Sequence, residues 1–192
     1  MTVDKVVELL REYKDLFPTK LSNLKGIIGD LGVMKITLKP NVKPVKQRPC
    51  RLNPKHKERV HAKLDKMLVA GIIEPVEESD WVSPIEFLEK KQKEEIRICV
   101  DLWKLNDACM HDPFSTPFTD EVLDNVGCQE AYSFTNGFSG YHQIKITPED
   151  RSKTTFVIEW GCFQCTVIPF GLKNAPTIFF ARSHCYIQRL HQ

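Results

Sequence analysis

Twelve residues, Ser133 to Ile144, set one polar side chain, Asn136, at the crest of a tight turn between an apolar-flanked strand and an aromatic, Tyr141. Gly137 and Gly140 let the backbone turn where larger residues clash, a layout that lifts Asn136 out of a sheet and holds it beside a cavity. Asn136 also suits an ordinary turn, because its amide bonds readily to nearby backbone, and Tyr141 suits a core. A second candidate is Arg97, which alternates with Ile96 and Ile98. It is either the solvent side of a half-buried strand or a guanidinium that grips an anion in bidentate fashion.

Other chemistries find less support. Cys162 and Cys165 have C-x-x-C spacing, but no second pair accompanies them. On a strand, residues three apart point to opposite faces, so these thiols do not converge on one metal. The six histidines show no ligand spacing beyond His56 and His61, and no Ser/His/Asp arrangement is evident. Seven scattered cysteines, an odd number, suit reduced thiols rather than a disulfide framework. No run approaches the ~20 apolar residues of a membrane span, and the start lacks a signal-peptide layout, so an intracellular (cytoplasmic or nuclear) protein is expected.

Charge is strongly segregated. The chain of 192 residues carries a formal charge of only +2, yet Lys35 to Lys66 holds eleven basic residues against Glu58 and Asp65. Met67 to Glu95 reverses the balance, with eight acids against three lysines. A basic belt of that density reads as a surface for a polyanion, with a solvated face as the alternative.

The elements that must position these groups follow from periodicity. Val3 to Phe17 has helical spacing, and Pro18 stops it. Residues 19 to 32 are turn-rich, Met34 to Leu38 alternates as a short strand, and Pro40, Pro44 and Pro49 impose an extended crossing. Asn53 caps a helix that starts at Pro54, carries Val60, Leu64, Met67 and Leu68 as its stripe, and closes at Gly71. Ile85 to Leu88 and Ile96 to Val100 predict a β-hairpin. Residues 101 to 118 read as irregular, and Thr119 caps a short helix to Val126. Strands are expected at Thr154 to Ile158 and Cys162 to Ile168, and a last helix from about Ala175 to Leu190. This mixture argues for an α+β protein.

Taken together, the motifs resemble the N-terminal part of the reverse transcriptase of Ty3/gypsy-type LTR retrotransposons, within a Pol polyprotein. They are Lys46-Gln47-Arg48-Pro49 with Arg51-Leu52-Asn53-Pro54, Gly71-Ile72-Ile73-Glu74-Pro75 and Ser79-Asp80-Trp81-Val82-Ser83-Pro84-Ile85. Further on come Arg97-Ile98-Cys99-Val100-Asp101 with Lys104-Leu105-Asn106, Pro117-Phe118, Gly137-Phe138-Ser139-Gly140-Tyr141, and Pro169-Phe170-Gly171-Leu172-Lys173-Asn174-Ala175-Pro176. Singly they are weak; in this order, over about residues 6 to 180, they are specific.

The resemblance implies a right-hand polymerase: an N-terminal helix and linker (1–44), fingers (45–118) and part of a ferredoxin-like palm (119–192). It implies DNA synthesis on an RNA or DNA template from deoxynucleoside triphosphates with two magnesium ions. By the same resemblance Arg97 grips the incoming triphosphate, with Lys91 assisting and Asp101 nearby. Tyr141 packs under the sugar, Phe170 and Gly171 line the nucleotide pocket, and Lys173 and Asn174 lie beside the primer-template. Lys46, Arg48 and Arg51 belong to the nucleic-acid face of the fingers.

The departures concern catalysis. Position 136 is that of a metal-binding aspartate in the family, and asparagine offers one neutral oxygen where magnesium favours a carboxylate. The family's Tyr-x-Asp-Asp hairpin has no counterpart before Gln192. Leu102-Trp103, Glu86, Glu89 and the glycine-free 90–95 turn also depart from the pattern. The expectation is a chain that binds nucleic acid and nucleotide without catalysis, with a non-catalytic nucleic-acid-binding remnant or interaction module as the alternative, and with magnesium poorly served.

Overall fold

The computed structural model describes residues 3–14, 23, 26–27, 32–89, 96–113, 119–127 and 139–181. It is α+β, as expected. Helix α1 (Val3–Glu12) forms on the anticipated apolar spacing, but none of its residues is buried. Strand β1 (Val33–Met34) is shorter than the expected Met34–Leu38 run and pairs in parallel with β5 (Lys145–Ile146). Beyond it Leu38 makes only an isolated bridge to Cys109.

Helix α2 (Pro54–Val69) follows its capping chemistry closely. Asn53 Oδ1 accepts from Lys55 N–H at 3.1 Å, and proline occupies the first turn, where its missing N–H costs nothing. Val60 and Leu64 are fully buried, while Met67 and Leu68 pack at the edge of the core. Past Gly71, strand β2 (Ile73–Pro75) joins β7 (Gly161–Cys165) and β6 (Phe156–Ile158) in an antiparallel sheet of order β2–β7–β6. The extended 45–47 segment exchanges hydrogen bonds with Val82 (Gln47 N–H to Val82 O, 2.9 Å; Val82 N–H to Val45 O, 3.0 Å), and Ser83 bridges to Phe156.

Strands β3 (Ile85–Glu89) and β4 (Ile96–Val100) form the expected hairpin, with Ile85 opposite Val100 and Leu88 opposite Arg97. Its 90–95 turn lies outside the described residues. The stretch expected to be irregular contains helix α3 (Trp103–Ala108). Asp101 Oδ1 accepts from Trp103 N–H at 3.0 Å and starts the turn, and burial of Leu105 and Ala108 sustains it. Helix α4 (Thr119–Val126) stands where expected, and the last helix is described over 175–181.

The two late strands are shorter than their apolar runs predict. Before β6, the Thr154 and Thr155 hydroxyls donate to Arg151 O and Ser152 O, both at 2.7 Å, and hold Ser152–Thr154 in a 3₁₀ turn. After Cys165 the chain changes partners: Ile168 N–H donates to Ile144 O at 2.9 Å, and Val167 bridges to Lys145. The hydrophobic pattern continues because Val167 and Ile168 are themselves buried, beside the fully buried Ile144.

Two polar clasps hold these pieces in register. The first is centred on Asp150, beside the short helix α5 (Pro148–Arg151). Its carboxylate accepts from Ile36 N–H (2.7 Å), Thr147 Oγ1 (2.8 Å) and Lys153 Nζ (2.5 Å), and Lys153 Nζ also donates to Ile36 O (2.8 Å). Nearby, Arg151 Nη1 pairs with Glu74 at 3.1 Å, which fixes α5 to the edge strand β2. The second clasp is Asn106 on α3. Its Nδ2 donates to Gly171 O at 2.8 Å, and its Oδ1 accepts from Lys173 N–H at 2.7 Å. Asn174 answers from the loop: its Nδ2 donates to Met110 O (2.8 Å) and its Oδ1 accepts from Asp112 N–H (3.3 Å). Gly171, at φ 96°, takes a backbone angle that side-chain-bearing residues avoid, so the loop can turn onto α3.

Each clasp gives a measurable consequence. Burial opposes the charge of Asp150, but the bonds from Lys153, Ile36 and Thr147 outweigh it and hold the carboxyl below its ordinary value. A folded-state value depressed in this way contributes stability above the unfolded-state value of about 4, and that contribution is lost as pH falls through the lower folded-state value. Asp150→Asn is therefore expected to lower unfolding free energy by ~1–2 kcal/mol at neutral pH, with the gap closing on acidification. Urea denaturation at about pH 7 and about pH 3 checks this; an equal gap at both contradicts it. Asn106→Ala removes two hydrogen bonds to one loop and is expected to cost ~1–3 kcal/mol. Faster amide hydrogen exchange at Lys173 N–H checks it, and unchanged exchange contradicts it.

Candidate functional site

Between the β3–β4 hairpin, α2 and the 167–170 segment lies a cavity of about 320 Å³. Its wall is mostly apolar, with Met67, Ile98, Val100, Phe156, Val167 and Phe170 among its residues; Arg97, Lys63 and His142 supply charge or hydrogen-bonding capacity. Four consecutive residues of β4, Arg97 to Val100, border it; Ile96 before them is buried in the core, Arg97 is exposed, and Ile98, Cys99 and Val100 are half-buried. Phe170 comes from the loop that Asn106 holds, and with 71% of its surface exposed it is not a core residue.

Lys63 and His142 are members that sequence reasoning did not single out. The signal for Lys63 was present: it follows Val60 by three positions and precedes Met67 by four, so it shares the inward stripe of α2. For His142 the signal was its place beside Tyr141 on the 3₁₀ turn Gly140–Gln143. Its Nδ1 is buried and finds no hydrogen-bond partner among the described residues. Burial, and then the nearby Lys63 charge, push its pKa below the ordinary value, so the ring is neutral at physiological pH. The cavity's thiols are protonated as well. Burial raises Cys99, with Glu86 adding to the effect, and raises Cys165 to about 12. Neither serves as a nucleophile.

Tyr141 does not line the cavity. It is half-buried, edge-on to Phe179 (5.5 Å, 86°) and tilted against Phe170 (6.4 Å). Gly140 makes this packing possible, since a Cβ there would lie 2.7 Å from the Phe179 ring. Tyr141 thus acts as a strut between the last helix and Phe170.

The other expected site residues are dispersed. Asp101 caps α3 through its carboxylate rather than turning to the cavity. Gly171 contributes its carbonyl to Asn106, and Lys173 is exposed with its N–H held by the same amide. The side chain of Asn174 is engaged at both ends by residues 110–112. Lys46, exposed, sits 3.5 Å from Glu78, a distance and setting that make for a weak pair. Arg48 is exposed, and Arg51 lines a separate groove with Lys57 and Glu159. Lys91 and Asn136 lie outside the described residues.

Metal ligation finds little to work with here. Cys165 shares the buried face of β7 with Phe163, while Cys162 alternates onto the other face. Among the described residues no three His, Cys, Asp or Glu side chains converge as a metal site. Among the described residues that line the cavity, the charged groups are the cations Arg97 and Lys63 and none is a carboxylate, so these residues suit an anion rather than a divalent metal. Among the described residues no helix is long and apolar enough to cross a membrane.

No family model matches the chain. Among known proteins it is 30% identical over 173 residues to the "Retrovirus-related Pol polyprotein from transposon 412" of Drosophila melanogaster, covering 88% of this chain and 14% of that protein. It is 33% identical over 125 residues to the Pol polyprotein of transposon gypsy from the same organism, covering 62% of this chain and 12% of the relative. The chain thus spans about a seventh of the length of the curated relatives it matches. Among solved structures, a prototype foamy virus protease-reverse transcriptase superposes with a TM-score of 0.77 over 97% of this chain and 24% of that one, at 19% identity. The foamy viral protease-reverse transcriptase in complex with an RNA/DNA hybrid gives 0.72, again over 97% of this chain and 24% of the other, at 20% identity. Along most of its length the chain is thus homologous to a part of the Pol polyproteins of Drosophila gypsy-type transposons, and it shares its fold with a part of a foamy virus protease-reverse transcriptase.

Proposed function

We propose that this chain is the fingers and first part of the palm of a retrotransposon reverse transcriptase, which holds nucleotide and primer-template without joining them. In this reading residues 1–44 are a lead-in helix and linker, 45–118 the fingers and 119–192 the palm portion. The observation that carries it is the juxtaposition of Arg97 and Lys63 on one largely apolar cavity. Cations on an apolar wall suit a ligand that is anionic at one end and planar and apolar at the other, as a nucleoside triphosphate is. The guanidinium of Arg97 grips phosphate oxygens in bidentate fashion, and the ammonium of Lys63 adds a second positive charge. Phe170 offers an aromatic face to the base or sugar, with Tyr141 bracing it from behind. Lys46, Arg48, Arg51 and Lys173 form the cationic side of the primer-template path, binding phosphates with little regard to sequence.

Catalysis is where the reading stops. Polymer extension requires magnesium to activate the primer hydroxyl and to neutralise the leaving pyrophosphate. Asn136, at the position of a metal-binding carboxylate in the family, offers a neutral oxygen, and no step through a metal is assigned to this chain.

The test is equilibrium binding of a deoxynucleoside triphosphate by calorimetry. Arg97→Ala is expected to weaken binding about tenfold or more, the cost of losing a charge-assisted pair. Arg97→Lys, which keeps the charge but not the fork, should recover only part of that loss. Equal affinity in all three proteins overturns the assignment.

A further inference from the structure

His142 lines the cavity together with Lys63 and Arg97 but, unlike them, carries no charge. The 3₁₀ turn Gly140–Gln143 places it there, while its neighbour Tyr141 packs on Phe170 and Phe179. The ring is poorly satisfied. A neutral imidazole has one N–H donor and one bare nitrogen acceptor, and the buried Nδ1 finds no hydrogen-bond partner among the described residues. In either tautomer a buried polar atom is left without a bond, which is a cost to the free protein.

The groups around the cavity explain why the ring stays neutral. Helix α2 supplies Lys63, β4 supplies Arg97 and the protonated Cys99, and β7 supplies Cys165, also protonated. Strand β3 brings Leu88 to the wall, and its Glu86 stands opposite Cys99 across the hairpin without lining the cavity. No carboxylate among the described lining residues offsets the two cations, so a third positive charge is opposed by burial first and by Lys63 second. A bound anion reverses that balance. Phosphate oxygens only accept hydrogen bonds, so they suit a ring with two N–H donors and repel one that presents a lone pair. Their negative charge also outweighs the repulsion from Lys63, and the apolar wall limits its screening.

Resting on the nucleotide reading of the cavity, we infer that His142 is its third anion-binding group, neutral in the free protein and protonated when phosphates occupy the site. The proton comes from solvent: the ring gains one N–H, becomes a cation, and offers its second nitrogen as a donor to a phosphate oxygen. Binding is thereby coupled to pH. The ring holds its proton more tightly in the occupied cavity than in the free protein, so the gain in affinity is fully present below the pH at which the free ring titrates. It is lost as pH rises through the higher value of the occupied state. Such a cavity grips a triphosphate more firmly in mild acid and releases it more readily in alkali.

The test is calorimetric titration of the full chain with magnesium-free deoxythymidine triphosphate at about pH 7, in two buffers of widely different ionisation enthalpy, Pipes and Tris. The dependence of the heat on buffer counts the protons taken up, and comparison with His142→Gln and His142→Phe cancels the ionisation of the ligand itself. The wild type is expected to take up roughly half a proton or more beyond either variant. Its affinity relative to His142→Gln should rise about threefold or more between about pH 8 and about pH 6.5. Matching circular dichroism establishes that the variants fold. Proton NMR of the wild-type ring, assigned by its loss in His142→Gln, should find it titrating below about 6.5 in the free protein and above about 7 with the triphosphate bound. Triphosphate binding that depends on Arg97, with equal proton uptake in all three proteins or with a ring midpoint unmoved by the ligand, overturns this role for His142 and leaves the nucleotide reading standing. Absence of triphosphate binding by the wild type at every pH overturns both.

Discussion

The side-chain amide of Asn106 bonds twice to one loop, through Gly171 O and Lys173 N–H, and the geometry of the cavity depends on that pairing. The loop delivers Phe170; α3, which carries Asn106, follows directly from the strand that carries Arg97. The clasp therefore ties together two segments about seventy residues apart in sequence. An amide suits this position because it supplies one donor and one acceptor in a single plane, as a backbone strand does. A carboxylate would lose the donor, and an aliphatic residue would leave a carbonyl and an N–H without these partners. Asn174 repeats the device in the opposite direction, so the junction is held from both sides.

Electrostatics then divides the surface by task. At the cavity, cations stand against an apolar wall, where reduced solvent screening strengthens their hold on an anion. Along the 35–66 belt the cations are largely exposed, so their effect is longer in range but easily screened by salt. Acids in the folded body are used structurally. Glu74 receives Arg151 and Gln164, and Asp150 fastens the chain before Leu38 to α5. The carboxylates that are best placed geometrically thus hold the fold together, and those on the cavity's flanks, such as Asp101, cap a helix.

Much of this was legible in the sequence because local chemistry and tertiary context agreed. Helix α2 carried its own cap, first-turn proline and stripe, and the hairpin carried its alternation. Disagreement arose where tertiary hydrogen bonds overrode local pattern. The apolar run after Cys165 reads as one strand, yet it changes partners at Thr166, which periodicity does not register. The hydroxyls of Thr154 and Thr155 curl a segment that β-branched residues would otherwise extend. Helix α3, six residues long, makes less than two turns, too few for a repeating apolar stripe to stand out in the sequence. At the site, Arg97 and Phe170 were marked by the family motifs and do share a cavity. Lys63 was overlooked because a lysine in a basic belt looks solvated, although its spacing from Val60 and Met67 already put it on the inward stripe of α2. The motif residue Asn174 proved to have its side chain occupied by backbone partners at 110–112.

The central claim is a polymerase surface that binds without catalysing, and primer extension tests it most directly. The chain is incubated with a primed homopolymer template, the matching deoxynucleoside triphosphate and magnesium, and the primer is resolved by length. A primer that stays at its starting length while anisotropy reports bound primer-template is the result predicted here. A ladder of extended products above background would contradict the account, because it would require metal-assisted chemistry at a position occupied by Asn136.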